Sequence, residues 1–253
     1  MKGKALYIVL FLFGAFFADA QVSEIKSASS NAPKTGNNGG EKGSRSSGTL
    51  AYFFVDLMLN GVVEWQRHKL SRVEANPSLI SVEVMGQVTA QSSVYYVAHP
   101  RIRGNWGLFS TDFRLNYLVE EDINGFQDLT TYDWQIIQLN IITSKHVTGR
   151  VGFGMMKENF GDYLTFAENT CGLQWYTNHR RINGVLEYRS AVDWKVGFAP
   201  RREFNTFLEA RVWQKGYAHL YATAGLVYQR YYNAIDVWGL QGGLIFKLHR
   251  PTY

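Results

Sequence analysis

The chain has 253 residues and a formal net charge of +5, with fifteen Tyr, sixteen Phe and seven Trp but only five Pro and one Cys. A lone cysteine, Cys171, excludes an internal disulfide framework, and no apolar run after the first twenty residues approaches the ~20 residues of a membrane-spanning helix. The basic excess is dispersed and no nucleic-acid-binding module stands out, so nucleic acid is not an expected partner.

The first element covers residues 1–20. Lys2 and Lys4 precede an apolar stretch from Ala5 to Phe17, and Ala18-Asp19-Ala20 closes it, giving the three parts of a secretory signal peptide. Sec-type export with cleavage after Ala20 is expected, which leaves Gln21 as the mature N-terminus, with no cysteine there for a lipid anchor. Residues 21–48 are dominated by Ser, Asn, Gly and Lys, with no large apolar residue after Ile25. Such a stretch buries too little surface to order itself, so a disordered linker is expected, followed by one domain over 49–253.

From about residue 50 onward, short segments alternate apolar and polar side chains and are bounded by turn residues. Strands are predicted near 50–60, 79–92, 106–119, 131–144, 147–157, 163–177, 182–196, 203–214, 218–231 and 237–248. Brief turns fall at Ser144-Lys145-His146, Thr177 to Arg181 and Gln214-Lys215-Gly216. Longer links run from Gly61 to Ser78, Glu120 to Thr130, Lys157 to Asp162, Gly197 to Glu203 and Tyr232 to Asp236. Membrane barrels place short turns in the periplasm and long loops outside, so both chain ends are expected inside and Gly61 to Ser78 outside. The fold class is all-β: an antiparallel up-and-down transmembrane β-barrel of about ten strands, or eight if the first is a plug or an extra edge.

Period-two parity sorts the faces. Leu186, Tyr188 and Val192 share one side of a strand whose other side carries Glu187, Arg189, Asp193 and Lys195. A charge facing lipid near the midplane costs about 2–4 kcal/mol, so the charged parity is assigned to the lumen. There Asp112, Arg114, Arg150, Glu168, Glu187, Arg189, Asp193, Glu209 and Arg211 form an expected polar network, joined by Asp56, Glu83 and Lys247. Trp175, Trp194 and Trp238 have outward parity as interfacial aromatics, while Trp106, Trp134 and Trp213 fall on lumen parity, so that either a bulge turns them outward or they plug the barrel mouth.

The last strand, Val237 to Leu248, resembles the insertion signal read by the barrel-assembly machinery of Gram-negative bacteria. Gln241, Gly243, Phe246 and Leu248 occupy its polar, glycine and two terminal positions, with Leu248 in place of the final aromatic. The resemblance implies a small bacterial outer-membrane protein, partnered by outer-membrane lipid and, during biogenesis, by that machinery.

Near balance of charge suits a lumen closed by ion pairs, because buried charges persist when paired. A narrow pore for small polar solutes, with Arg114, Arg189 and Arg211 setting anion preference, is the alternative. The expected periplasmic turns carry a basic rim: His99, Arg101, Arg103, Lys145, His146, His179, Arg180, Arg181, Lys215 and His219, with His249 and Arg250 at the end. Such a rim would engage anionic head groups or an acidic periplasmic partner. His68 near Glu64 and Glu74, and the acids Glu120, Glu121, Asp122, Asp128 and Asp133, are the residues a surface hydrolase would use. No nucleophile–base pair accompanies them; the acids could instead hold a divalent cation such as Ca²⁺, and a solvated acidic loop is the expectation. Cys171 shares its parity with Leu173, as an inert outward thiol does. The expectation is therefore a non-enzymatic barrel without cofactor or metal, with a structural, adhesive or partner-binding role towards a periplasmic or extracellular protein.

Overall fold

The computed structural model describes residues 21–32, 61–91, 95–122, 125–161, 163–177, 179–193 and 197–250. Ten strands follow in order: β1 (Ile80–Ala90), β2 (Tyr95–Trp106), β3 (Phe109–Asp122), β4 (Gly125–Thr143), β5 (Val147–Glu158), β6 (Thr165–Tyr176), β7 (Ile182–Asp193), β8 (Phe198–Lys215), β9 (Ala218–Tyr231) and β10 (Ile235–His249). Each pairs antiparallel with the next, and β10 returns to β1 through ten residue pairs from Ser81↔His249 to Ala90↔Leu240. The sheet therefore has no free edge.

Alternation in the sequence becomes alternation in burial. In β1 every second residue is buried, and Val82, Val84 and Val88 on the other parity are 44%, 46% and 53% exposed. Ile102, Phe113, Leu208, Leu226, Leu240 and Leu244 continue this outward apolar surface around the barrel. A surface of that extent is matched to lipid rather than water.

The number of strands agrees with the sequence reading, but their identity does not. The strand expected near 50–60 lies outside the described residues, and the barrel closes without it, so the eight-strand alternative does not hold. The additional strand is β2, expected as a periplasmic connection because Pro100 and Gly104 interrupt its alternation and its inward positions are charged. Two expected loops are strand ends. Residues 120–122 and 125–130 extend the β3–β4 hairpin up to Asp122↔Gly125, and Phe198 already belongs to β8.

Register shifts explain the tryptophans. In β4, shifts between Trp134 and Ile137 and between Leu139 and Ile142 reverse the parity twice. Ile136 and Ile137 both face out, as do Ile141 and Ile142, while Asp133, Gln135, Gln138, Asn140 and Thr143 are all buried. Trp134 is thereby outward, and a shift between Arg211 and Trp213 turns Trp213 out as well. Trp106 ends β2 on its outer face. All three are outward, so none plugs the mouth, and for Trp134 and Trp213 the bulge alternative holds; Trp175 is outward as expected, and Trp194 is outside the described residues.

Both mouths are covered. Helix α1 (Gln21–Asn31), expected as the start of a disordered linker, sits on the mouth ringed by the β3–β4 and β9–β10 hairpins. Its Val22 and Ile25 are fully buried against Tyr95, Leu118, Leu129, Phe160, Tyr231 and Ile235. At the opposite mouth, where β1 begins and β10 ends, lie helix α2 (61–70) and the short turn Pro77–Leu79. Gln66 of α2 donates to the Trp106 carbonyl at 2.8 Å, and Lys69 donates to that of Ile141 at 3.0 Å. The segment expected in an outer loop thus shares a mouth with the brief turns at 144–146 and 177–181.

Lumen-facing glycines make room where β4 is bulged. A Cβ on Gly154 would lie 2.0 Å from the Trp134 carbonyl oxygen, and one on Gly152 would lie 2.6 Å from the Gln138 side chain. Gly154→Val is expected to lower barrel stability by about 1–3 kcal/mol through overpacking, seen as a lower urea midpoint for loss of the heat-modifiable folded band; an unchanged midpoint would show that β4 can shift freely.

Candidate functional site

Sequence parity delivers charge to the lumen, and closure brings it together. Seven buried cations (Arg101, Arg103, Arg114, Arg150, Arg189, Arg201 and Lys247) share the interior with seven buried carboxylates (Glu83, Asp112, Asp133, Glu168, Glu187, Glu203 and Glu209). Two further buried acids, Glu120 and Glu158, lie at the α1 mouth.

Asp112 collects Arg101, Arg103 and Arg189, accepting from Arg101 Nε at 2.8 Å, Arg103 Nη2 at 2.8 Å and Arg189 Nη2 at 2.9 Å. Glu187 takes both terminal nitrogens of Arg101 at 2.7 Å and Arg189 at 2.9 Å. A second group is built on Arg114, which donates to Asp133 Oδ2 at 2.7 Å and Glu203 Oε2 at 2.8 Å. Arg201 ties Asp133 to Glu168, both at 2.7 Å, and Lys247 holds Glu209 at 2.7 Å. Bidentate, charge-assisted contacts of this kind are the strong class.

Strand order shows what the pairs span. In the ring β1-β10-β9-β8-β7-β6-β5-β4-β3-β2, β2 stands five places from β7, and β3 five places from β8. Arg101–Glu187 and Arg114–Glu203 therefore join diametrically opposite walls. On the side lined by β7–β10 and β1, Val185, Phe207, Tyr221, Ile245 and Met85 form an apolar cluster beside these charges. Interiors of this width are just wide enough for side chains to fill.

Of the residues singled out from sequence, Asp112, Arg114, Glu168, Glu187, Arg189 and Glu209 meet in this network, with Glu83 near Lys247 at 3.9 Å. Arg150 is buried and bonds the Gln174 amide oxygen at 3.0 Å. Two do not belong to it. Asp193 is only half-buried at the end of β7, and Arg211, beside the β8 register shift, reaches the His179 carbonyl at 3.2 Å. Asp56 and Lys195 lie outside the described residues. Parity missed Arg201 and Glu203, read as a link, and Asp133, read as loop acid.

The basic rim is smaller than expected. His99, Arg101 and Arg103 are not in a turn but on the inner face of β2, where His99 bonds Asn116 at 2.8 Å. The odd-numbered residues Tyr95, Val97, His99, Arg101, Arg103 and Asn105 already had period two, and that was the signal available. His219 is buried and stacks on His249 at 4.0 Å between ring centroids. Arg180 turns inward: it donates to Ser78 Oγ at 2.9 Å and Asn76 Oδ1 at 3.0 Å and lies over the Tyr176 ring, and burial pulls its pKa below the ordinary guanidinium value. Lys145, His146, His179, Arg181 and Lys215 remain exposed.

The residues considered for hydrolysis do not converge. His68 is exposed on α2, Asp128 is exposed on β4, Asp133 is in the lumen and Glu120 is buried beneath α1. Among the described residues no group of three or more His, Cys, Asp or Glu is arranged to hold a metal ion. Cys171 is exposed on the outer face of β6. In β10, Gln241 is buried, Phe246 and Leu248 point outward, and Gly243 packs where a Cβ would meet the Gly86 carbonyl at 2.2 Å.

An edgeless antiparallel sheet with an apolar exterior and charged interior satisfies every backbone group without water, as a membrane requires. The fold is that of a small outer-membrane β-barrel. No family model and no curated protein matches the chain. Among solved structures it is similar to the N-terminal β-barrel domain of OprF from Pseudomonas aeruginosa, at 11% identity and TM-score 0.31 over 66% of this chain and 97% of that one. It is also similar to the outer membrane protein opdK from Pseudomonas aeruginosa, at 13% identity and TM-score 0.30, over 63% of this barrel chain and 51% of opdK.

Removing one partner of a buried ion pair strands the other. Glu187→Ala leaves Arg101 and Arg189 short of an acceptor and is expected to cost about 3–5 kcal/mol in urea unfolding followed by tryptophan fluorescence; a loss below about 1 kcal/mol, the range of exposed pairs, would place Glu187 in water.

Proposed function

We propose that the protein is a non-conducting outer-membrane barrel with a structural, adhesive or partner-binding role. The observation that carries this reading is the pair of ion bridges, Arg101–Glu187 and Arg114–Glu203, that cross between opposite walls of the lumen. Helices also adjoin both mouths, and an apolar cluster packs beside the charged layers on the side of β7–β10 and β1. Support for a non-catalytic role comes from the same contacts, because the lumen acids spend their acceptor capacity on Arg and Lys. Export is read from residues 1–20 with cleavage after Ala20, and assembly from Gln241, Gly243, Phe246 and Leu248.

The mouths differ in charge. The α2 mouth exposes Arg67, Arg72, Lys145, Arg181, Lys215 and Arg250 against Glu64 and Glu74. The α1 mouth mixes Lys157, Arg202 and Arg230 with Glu121, Asp128 and Asp236. A basic face beside the exposed Trp106, Trp213 and Tyr217 suits the boundary with anionic phospholipid and supports a reading in which the α2 mouth faces the periplasm, where an acidic protein partner would also dock.

In planar bilayers the refolded, heat-modifiable protein is expected to show no steady conductance. Steady channels whose size changes in Glu203→Gln would make it a pore. Replacing Lys145, Arg181 and Lys215 together by Ser is expected to weaken binding of a detergent-solubilised barrel to anionic liposomes by about tenfold or more at low salt, each charge being worth about 1 kcal/mol. Arg180→Ser, by contrast, should loosen the packing of residues 76–78 and leave liposome binding nearly unchanged.

A further inference from the structure

Glu120 is a buried carboxylate that lacks a cation. It is 3% exposed on the inner face of β3, and among the described residues no Lys, Arg or His forms an ion pair with it. Every other acid of the interior named above has a guanidinium or ammonium partner, except Glu158, which is held by the hydroxyls of Tyr232 and Ser29. Glu120 instead accepts from the first two backbone nitrogens of α1: Gln21 N at 2.9 Å and Val22 N at 2.8 Å, one to each carboxylate oxygen. Opposite it in the β2–β3 register stands Tyr95, whose buried hydroxyl has no hydrogen-bond partner. An isolated buried carboxylate is costly unless a positive charge reaches it.

Gln21 is also the residue that cleavage after Ala20 makes the first of the chain. We infer that the mature α-ammonium of Gln21 is the missing cation, and that Glu120 is its binding site, so that signal-peptide removal strengthens the hold of the barrel mouth on α1. The inference rests on the proposed cleavage after Ala20. The reaction that must supply this group is peptide hydrolysis. Water adds to the Ala20 carbonyl carbon, the Ala20–Gln21 C–N bond breaks, Ala20 leaves as a carboxylate, and the Gln21 nitrogen is protonated, since a free α-amine titrates near pH 8. One backbone N–H becomes three N–H donors with a full charge. One of them can stay on Glu120 while the others are free to turn towards groups such as Tyr95, and the helix N-terminus adds its own favourable potential for the carboxylate. The burial of Val22 and Ile25 then holds the rest of the helix in place.

The test uses full-length protein exported and purified from a Gram-negative host, and the same chain refolded with a free or an acetylated Gln21. N-terminal sequencing is expected to give Gln21 first. With a water-soluble amine acylating reagent, the folded barrel's α-amine is expected to react at least about tenfold more slowly than in urea, as a charge-assisted buried contact requires. Glu120→Gln should restore the fast rate while the folded band on gels persists. A spin label at Ser27→Cys, with Cys171→Ser, should need a higher urea concentration to become mobile in the free-amine protein than in the acetylated and Glu120→Gln forms. Fast acylation in the wild-type barrel, or release of the label at the same urea concentration with and without acetylation, would overturn the inference. So would a native N-terminus cyclised to pyroglutamate, which carries no charge. A first residue other than Gln21 would overturn it too, and would show that the cleavage reading is what failed.

Discussion

Charge inside a narrow tube has to be paired within the tube. A lumen lined by seven guanidinium or ammonium groups and seven carboxylates offers neither bulk water nor a low-dielectric escape, and the desolvation of each ion is large. Neighbouring strands alone do not solve this. In the β2–β3 register Arg101 faces Arg114, a like-charge pair that would be repulsive by itself. The solution is to reach across: Arg101 to Glu187 and Arg114 to Glu203, each between opposite walls. Long, planar Arg side chains suit that span and the bidentate geometry. Closure of the sheet and pairing of the interior charges are then one problem, since bridges between opposite walls form only when the strands close into a barrel.

The two helical covers follow from the same constraint. Above the charged layers the strands turn apolar inward, with Tyr95, Val97, Leu118 and Leu129, and this ring needs an apolar lid, which Val22 and Ile25 provide. At the other mouth the interior is more polar, and the cover there is held by hydrogen bonds: Asn76 to Ser144 and Thr148, Arg180 to Asn76 and Ser78. The result is a barrel with different chemistry at its two ends. The apolar lid is a short helix on the chain's N-terminal side, and the polar cover adjoins a basic surface.

Much of this was legible in the sequence. Period-two alternation identified nine of the ten strands and placed Asp112, Arg114, Glu187 and Arg189 inside, because a lipid-facing charge is too costly for the parity to be otherwise. What escaped has physical reasons. β2 carries charge at successive inward positions, so it reads as polar loop, and the same feature made its Arg101 and Arg103 resemble rim residues. Bulges in β4 and β8 reverse parity with little mark in the sequence beyond the paired isoleucines of β4, which is why parity alone leaves Trp134 and Trp213 between an outward bulge and a plugged mouth. The α1 segment has only Val22 and Ile25 as large apolar residues, too few to order a free chain; the barrel mouth supplies the partner surface that composition cannot show.

The proposed non-conducting role requires that no continuous water-filled passage run through the lumen. Thr170 faces inward next to Gln135 and Gln138, while its neighbour Cys171 faces out. The decisive measurement is labelling of Thr170→Cys, in a Cys171→Ser background, by a small charged thiol reagent added to the folded barrel in lipid. A closed lumen predicts protection until the barrel is unfolded; rapid labelling of the folded protein would mean a water-filled passage and would contradict the account.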